Sequence, residues 1–269
     1  MPTIARTHRS DWLPILGVAV ITALITYGLV ASHAARVVGA YQFELHPFVN
    51  RFAGQPRSSQ FYEEWLIRDF FKDRRGGVFL DVGAHHYRDL SNTYYLETAL
   101  GWSGLAIEPQ VAYAADYTIH RPRTRFVAMF ASDVDDLRIA LFVPAANAAM
   151  ASATASFAGL AGAATAESVP TATLNRVLTE AGITRLDFVN MDIELHEPQA
   201  LAGFDLARFQ PALVCIEAHA PVRQAILDYF AARRYVVVGK YLRADVNNLY
   251  FAPAAGTTIE SVTSPDAPR

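Results

Sequence analysis

The residues that could do chemistry lie where apolar runs stop. The run 78-VFLDV-82 leads into Asp81-x-Gly83-Ala84-His85-His86, and 104-GLAI-107 ends in Glu108-Pro109. A later run closes on Asp192-x-Glu194-x-His196, with Glu197 next, and the one after it on Glu217-x-His219. Three carboxylates and an imidazole within six positions do not belong in an apolar core, where ionised groups are expensive. In an open α/β sheet the carboxyl ends of the strands face the ligand crevice, and there such groups are useful.

Two kinds of chemistry follow. The first is nucleoside binding. A glycine directly after a strand lets backbone approach a cofactor closely. An acid ending the next strand can accept hydrogen bonds from both ribose hydroxyls. Glu108 follows Asp81 by 27 positions, one βαβ step. The G-x-G-x-x-G fingerprint of nicotinamide cofactors is absent, whereas an Asp-x-Gly strand end suits the cationic S-adenosylmethionine. Asp81, Gly83, Ala84 and Glu108 are therefore the expected cofactor residues.

The second is proton removal from an acceptor. His196 is the first choice for general base, with Glu194 or Asp192 orienting it, and His219 is the second. Asp192, Glu194, His196, Glu217 and His219 also form a mixed oxygen and nitrogen set. It suits Mg²⁺, Mn²⁺ or Zn²⁺, which would acidify a bound hydroxyl. Pro198 marks a helix start, so a shared strand face cannot be assumed as far as His196. Glu197 reads as a first-turn acid favoured by the helix dipole. His85 and His86 divide evenly between touching substrate and closing a turn.

The elements that must position these groups alternate. Strands are expected at 78–84, 104–109, 125–131, 137–144, 185–193 and 212–219, with a hairpin over 235–242 and 247–253. Helices are expected at 59–75, 90–100, 171–182, 198–207 and 221–233. The first of these has apolar residues on one face and is opened by Ser58 or Ser59. Strands alternating with helices predict an α/β fold, a mostly parallel sheet covered on both faces. The Ala, Ser, Thr and Gly stretch 145–168 reads as a mobile loop shaping the acceptor pocket. Tyr94, Tyr95 and Trp102 read as core, and Arg121-Pro-Arg123 and Arg233-Arg234 as solvated faces.

The N-terminus is a different material. Residues 13–32 carry no charge, and at about 1.5 Å per residue they span a bilayer core of about 30 Å. One transmembrane helix is expected. A cleaved signal peptide is disfavoured because the run exceeds an h-region of roughly 7–15 residues. The expected organisation is an anchor over 1–34, a linker over 35–58, a catalytic domain over 59–253 and a disordered tail over 254–269. A net charge of −3 on 269 residues disfavours nucleic acid as a partner. The single Cys215 excludes an internal disulfide and a cysteine-based zinc site, and reads as core.

The series 79-FLDVGAHHYRDLSNTYYLETALGWSGLAIEP-109 resembles the cofactor half of FkbM-type methyltransferases. The stretch 173-TLNRVLTEAGITRLDFVNMDIELHEPQALAGFD-205 is similar to that family's second signature, and 211-PALVCIEAH-219 to the strand after it. The resemblance spans roughly residues 59–252. Departures are Asn175 for Asp, Asn190 for Lys, Leu195 for Gly, and Tyr87 near the place of a later glycine. The resemblance implies a class I methyltransferase fold of Rossmann-like type, S-adenosylmethionine as donor, and a hydroxyl acceptor on a sugar, glycolipid or small metabolite. By position it places Asp81, Gly83 and Glu108 on the cofactor, and Asp192, Glu194, His196, Glu217 and His219 on the acceptor side. A cytosolic cofactor implies a domain on the cytoplasmic side of its membrane and suits a lipid-linked acceptor. The alternative is a membrane-tethered binding or scaffold module that keeps the fold without turnover.

Overall fold

The computed structural model describes residues 20–34, 48 and 50–255. The chain divides into two units, Met1–Arg51 and Phe52–Arg269. In the first, residues 20–34 form a helix with Val20, Ile21, Leu24, Ile25, Leu29 and Val30 exposed. Among the described residues, no helix is long and apolar enough to cross a membrane. Of the expected span 13–32, residues 13–19 lie outside the described residues. So do residues 35–47 and 49 of the expected linker, and residues 256–269 of the expected tail.

The second unit is built on a seven-stranded sheet. Its strands are β1 (Val78–Val82), β2 (Ser103–Ile107), β3 (Thr124–Val127), β7 (Phe188–Met191), β8 (Leu213–Glu217), β9 (Tyr235–Val237) and β10 (Asn248–Pro253). Their order is β3-β2-β1-β7-β8-β10-β9, parallel except that β10 runs against both its neighbours. Strands progress outward from β1 in one direction and from β7 in the other. The sheet therefore has a topological switch point between β1 and β7. The central strands β1, β7 and β8 are buried almost throughout, as expected of parallel strands covered on both faces. Leu80, Val189, Val214, Ile216, Leu249 and Phe251 belong to the main core, and Cys215 is fully buried.

The helices are α1 (Glu63–Phe71), α2 (Tyr94–Thr98), α3 (Ala114–His120), α4 (Ala155–Ala158), α5 (Leu174–Glu180), α6 (Glu197–Ala202), α7 (Leu206–Phe209) and α8 (Arg223–Ala232). The helix expected from residue 59 begins at Glu63, with Tyr62 at its N-cap, and Ser59 Oγ accepts the Glu64 amide from outside it. The helix ends through left-handed Lys72 and Asp73, ahead of the Gly76-Gly77 expected to stop it.

Four expectations are corrected. The run 125–131 is two strands: the main sheet ends at Val127, and β4 (Phe130–Ala131) pairs instead in a second sheet. That sheet has the order β4-β6-β5, with β5 (Arg138–Pro144) antiparallel to β6 (Ala164–Ala172) over seven residue pairs. Residues 145–168 are thus the tip and returning strand of a hairpin, because backbone pairing with β5 orders side chains too small to pack on their own. The helix expected from residue 171 begins at Leu174, where Thr173 Oγ1 accepts the Arg176 amide as a cap. Arg121, expected in solvent, is fully buried against Glu97.

Candidate active site

The first strand ends in a fixed turn. Gly83 has φ +81°, and a side chain there would meet the Asp192 carbonyl oxygen at 1.8 Å. The glycine is thus required by the neighbouring strand end before any ligand is considered. Its amide and that of Ala84 both donate to the Ile107 carbonyl. The next amide, of His85, donates to Glu108 Oε2 at 3.0 Å, and Gln110 N donates to Oε1 at 2.9 Å. Glu108 is 4% exposed, and burial pushes its carboxyl up to about 7 against those two hydrogen bonds. Each oxygen keeps a lone pair for a further donor.

Val82, Gly83, His85, Ile107, Glu108 and Gln110 line one side of a pocket, with Met129, Phe130 and Ala131 behind and Asp192, Ile193 and Glu194 across the switch point. The hairpin contributes Leu141 from β5 and Ala149 and Ala151 from its tip. It is tied down at three places. Gln110 Nε2 donates to the Ala148 carbonyl at 3.1 Å, the fully buried Ser152 donates to the Glu194 carbonyl at 2.7 Å, and the Phe157 ring lies 5.2 Å from that of His219. So closed, the cavity holds about 30 Å³, against roughly 300–1,000 Å³ for a usual small-molecule site.

Two of the expected cofactor residues stand behind this wall. Asp81 is 2% exposed. Its carboxylate accepts from Thr93 Oγ1 at 2.6 Å and from Asn190 Nδ2 at 2.9 Å. Asp81 and Asn190 are register partners across β1 and β7, which is why their side chains meet. Asn190 Oδ1 in turn accepts from Asn92 Nδ2 at 2.9 Å. Thr93 also receives Arg121, whose guanidinium is paired with Glu97. Ser91-Asn92-Thr93 thus holds the base of the site, a role the sequence did not reveal. Ala84 is 5% exposed and packs with Ala106 and Tyr117. His85 lines the pocket, its Nε2 2.7 Å from the Tyr113 hydroxyl, whereas His86 Nδ1 accepts the Asp89 amide and closes a turn.

Across the switch point, acids face acids. The carboxyl groups of Asp192, Glu194 and Glu217 crowd together here, and their charges oppose one another. His219 Nε2 lies 3.1 Å from Glu217 and 3.3 Å from Glu194. Burial, then the charge of Asp192, raises Glu194 to about 8 and pushes Glu217 further, to about 11. Burial likewise raises Asp192. Burial and like charge both favour the protonated forms of these acids.

His196 does not join this cluster. It precedes α6, its Nε2 is 3.4 Å from Ser132 Oγ, and its ring meets Phe130 edge-on. Among the described residues it makes no hydrogen bond or ion pair with Asp192 or Glu194, and burial lowers its pKa. The chain turns it away through two successive left-handed residues, Glu194 (φ 55°) and Leu195 (φ 79°). Such a conformation costs a residue with a side chain roughly 1–2 kcal/mol. Glu197 is fully buried, and its carboxylate accepts the Ile193 amide at 3.1 Å, closing the same turn. Of the five expected metal ligands, Glu194, Glu217 and His219 bring ligand atoms within 4.8 Å of one another.

This sheet order and crevice are those of the doubly wound α/β class. A family model described as the methyltransferase FkbM domain matches residues 81–237. The match covers more than half of the chain, which belongs to that family. Its fold is class I methyltransferase-like. No curated protein matches the chain. Solved structures similar to it include a TehB-like SAM-dependent methyltransferase from Corynebacterium glutamicum, at 14% identity and TM-score 0.40, covering 80% of this chain and 98% of that one. Another is the Burkholderia thailandensis 1,6-didemethyltoxoflavin-N1-methyltransferase with bound S-adenosylhomocysteine, at 13% identity and TM-score 0.35, covering 94% of each chain. A third is a precorrin-6y C5,15-methyltransferase from Geobacter metallireducens, at 11% identity and TM-score 0.40, covering 75% of this chain and 92% of that one. Likenesses this distant carry no information on substrate.

Proposed function

We propose that the protein transfers a methyl group from S-adenosylmethionine to a hydroxyl oxygen of a sugar, glycolipid or small metabolite. The observation that carries this reading is that Asp192 and Glu194 line the same pocket as Gly83 and Glu108. Donor and acceptor groups therefore meet at one switch point. Glu108 would take the ribose hydroxyls, with the amide-rich turn at Gly83 to His85 beside it. Asp81 would act from behind, fixing the turn and not touching the cofactor.

The transfer forms an oxygen–carbon bond as the sulfonium–carbon bond breaks, and S-adenosylhomocysteine leaves as a neutral thioether. The acceptor proton must go elsewhere. Glu194, raised to about 8, is matched to removing it near neutral pH, with His219 against its carboxylate. The geometry favours this pair over His196 as the base. The rest of the catalysis is alignment of oxygen with methyl.

A divalent cation on Glu194, Glu217 and His219 is a second reading, favoured by their mutual reach. It would neutralise the cluster and acidify the bound hydroxyl. An anchor over residues 13–32 would hold the domain at the cytoplasmic face of a membrane, near lipid-linked acceptors. Cytoplasmic protease that spares the domain in opened cells would remove that part.

The test is calorimetric titration of S-adenosylmethionine into the full chain. Wild type should bind, and Glu108→Ala should weaken binding at least about tenfold, the worth of a charge-assisted hydrogen bond. No binding by a folded wild-type sample would leave the scaffold reading.

A further inference from the structure

We infer that a second binding site, for a phosphoryl-type anion, lies at the opposite end of the sheet. A cleft of about 570 Å³ opens beside the first residues of β1, β2 and β3 and the turn after α5. Its charged lining residues are Arg123, Arg125 and Arg185, and no carboxylate lines it. Exposed hydroxyls of Ser103 and Thr184 share the wall. A chain of net charge −3 has here gathered three guanidinium groups about one concavity.

The acids nearby are otherwise engaged. Asp187 pairs with Arg74 at 2.8 Å and accepts the Val78 amide at 2.9 Å. Glu97 is buried on Arg121, and one of its oxygens accepts the Arg123 backbone amide. Glu180, at the rim, faces Arg176 at 3.9 Å, while only its carbonyl meets Arg125. The guanidinium groups of Arg123 and Arg125 are exposed and make only long contacts, of 3.4 and 3.5 Å, to carbonyl oxygens. Among the described residues neither has a carboxylate partner.

Guanidinium forks match phosphoryl oxygens two at a time, and hydroxyls complete such a shell. The volume falls within the range of small-ligand sites, roughly 300–1,000 Å³. The strands separate this cleft from the methyl-transfer pocket by about 15 Å, at about 3.3 Å per residue. One small ligand therefore cannot fill both. The phosphoryl group could belong to a soluble metabolite or to a phospholipid headgroup.

The experiment titrates the full chain with inorganic pyrophosphate at low ionic strength, with S-adenosylhomocysteine present in excess. In parallel, it measures binding to phosphatidylcholine vesicles with and without phosphatidic acid. Saturable binding is expected in at least one arm. The R123Q/R125Q double variant should weaken it about tenfold or more. R233Q/R234Q, which removes the same charge outside the cleft, should leave it unchanged, and E180Q should tighten it. Salt should weaken it steeply. Binding of pyrophosphate assigns a soluble ligand, and binding of phosphatidic acid vesicles alone assigns a headgroup. Circular dichroism establishes that each variant is folded. No saturable binding in either arm, or equal loss in the two double variants, overturns the proposal.

Discussion

Asp81 and Asp192 both stand at the ends of central parallel strands, Asp81 buried and Asp192 half-buried, and both are pushed above the ordinary aspartate range by burial. Their surroundings differ. Asp81 is met by donors, Thr93 and Asn190, and behind them lies the Arg121–Glu97 pair. Asp192 is met by other acids, Glu217 and Glu194, with one partly exposed imidazole nearby. The first arrangement satisfies a buried charge and fixes a turn. The second crowds acids at a pocket wall, the kind of perturbed cluster that marks a candidate functional site.

The largest effect should come from breaking the satisfied side. Glu97→Ala leaves Arg121 fully buried without its carboxylate, a change that costs about 3–5 kcal/mol. Urea denaturation should show this loss or an unfolded chain. A shift below about 1 kcal/mol would mean that the pair is not dry.

The crowded side should respond to pH. Glu194 holds its proton to about 8 when folded, against an ordinary value of 4.5. The folded chain then binds more protons than the unfolded one between these values. Stability is full below about 4.5 and falls as pH rises through 8. Glu217 extends the fall toward about 11. Wild type should lose on the order of 2 kcal/mol between mildly acidic and mildly alkaline solution. Glu217→Gln should lose less, the remainder coming from Glu108 and the other buried acids raised to about 7. The same titration with Mn²⁺ sharpens the comparison: a bound cation keeps the carboxylates ionised and flattens the slope, and an unchanged slope removes the metal reading.

The smallest effect should be at Leu195. Leu195→Gly relieves a left-handed leucine but frees the unfolded chain, so melting should change by no more than about 1 kcal/mol. A larger stabilisation would mean that Leu195 is held strained by the site.

Much of this comparison was legible in the chain. Apolar runs ending in acids marked the strand ends, and those ends form one crevice because parallel strands present their carboxyl termini together. What the sequence withheld was direction. Pro198 left open whether Asp192, Glu194 and His196 share a face, and two left-handed residues break the strand and swing the histidine to Ser132. Asp81 read as a cofactor ligand because its partner, Asn190, lies 109 positions away, and only the β1–β7 register joins them. The Ala-rich segment read as a loop because its order comes from pairing with β5 and from single ties at Ala148, Ser152 and Phe157, which no periodicity announces.

Those ties set a clock. A nucleoside cannot pass into a cavity of about 30 Å³ until the hairpin tip releases Gln110, Glu194 and His219. Under the proposed reaction, the spent nucleoside is then trapped by the flap that sheltered the live one. Cutting one tie, as in Ser152→Ala, should then speed nucleoside exchange.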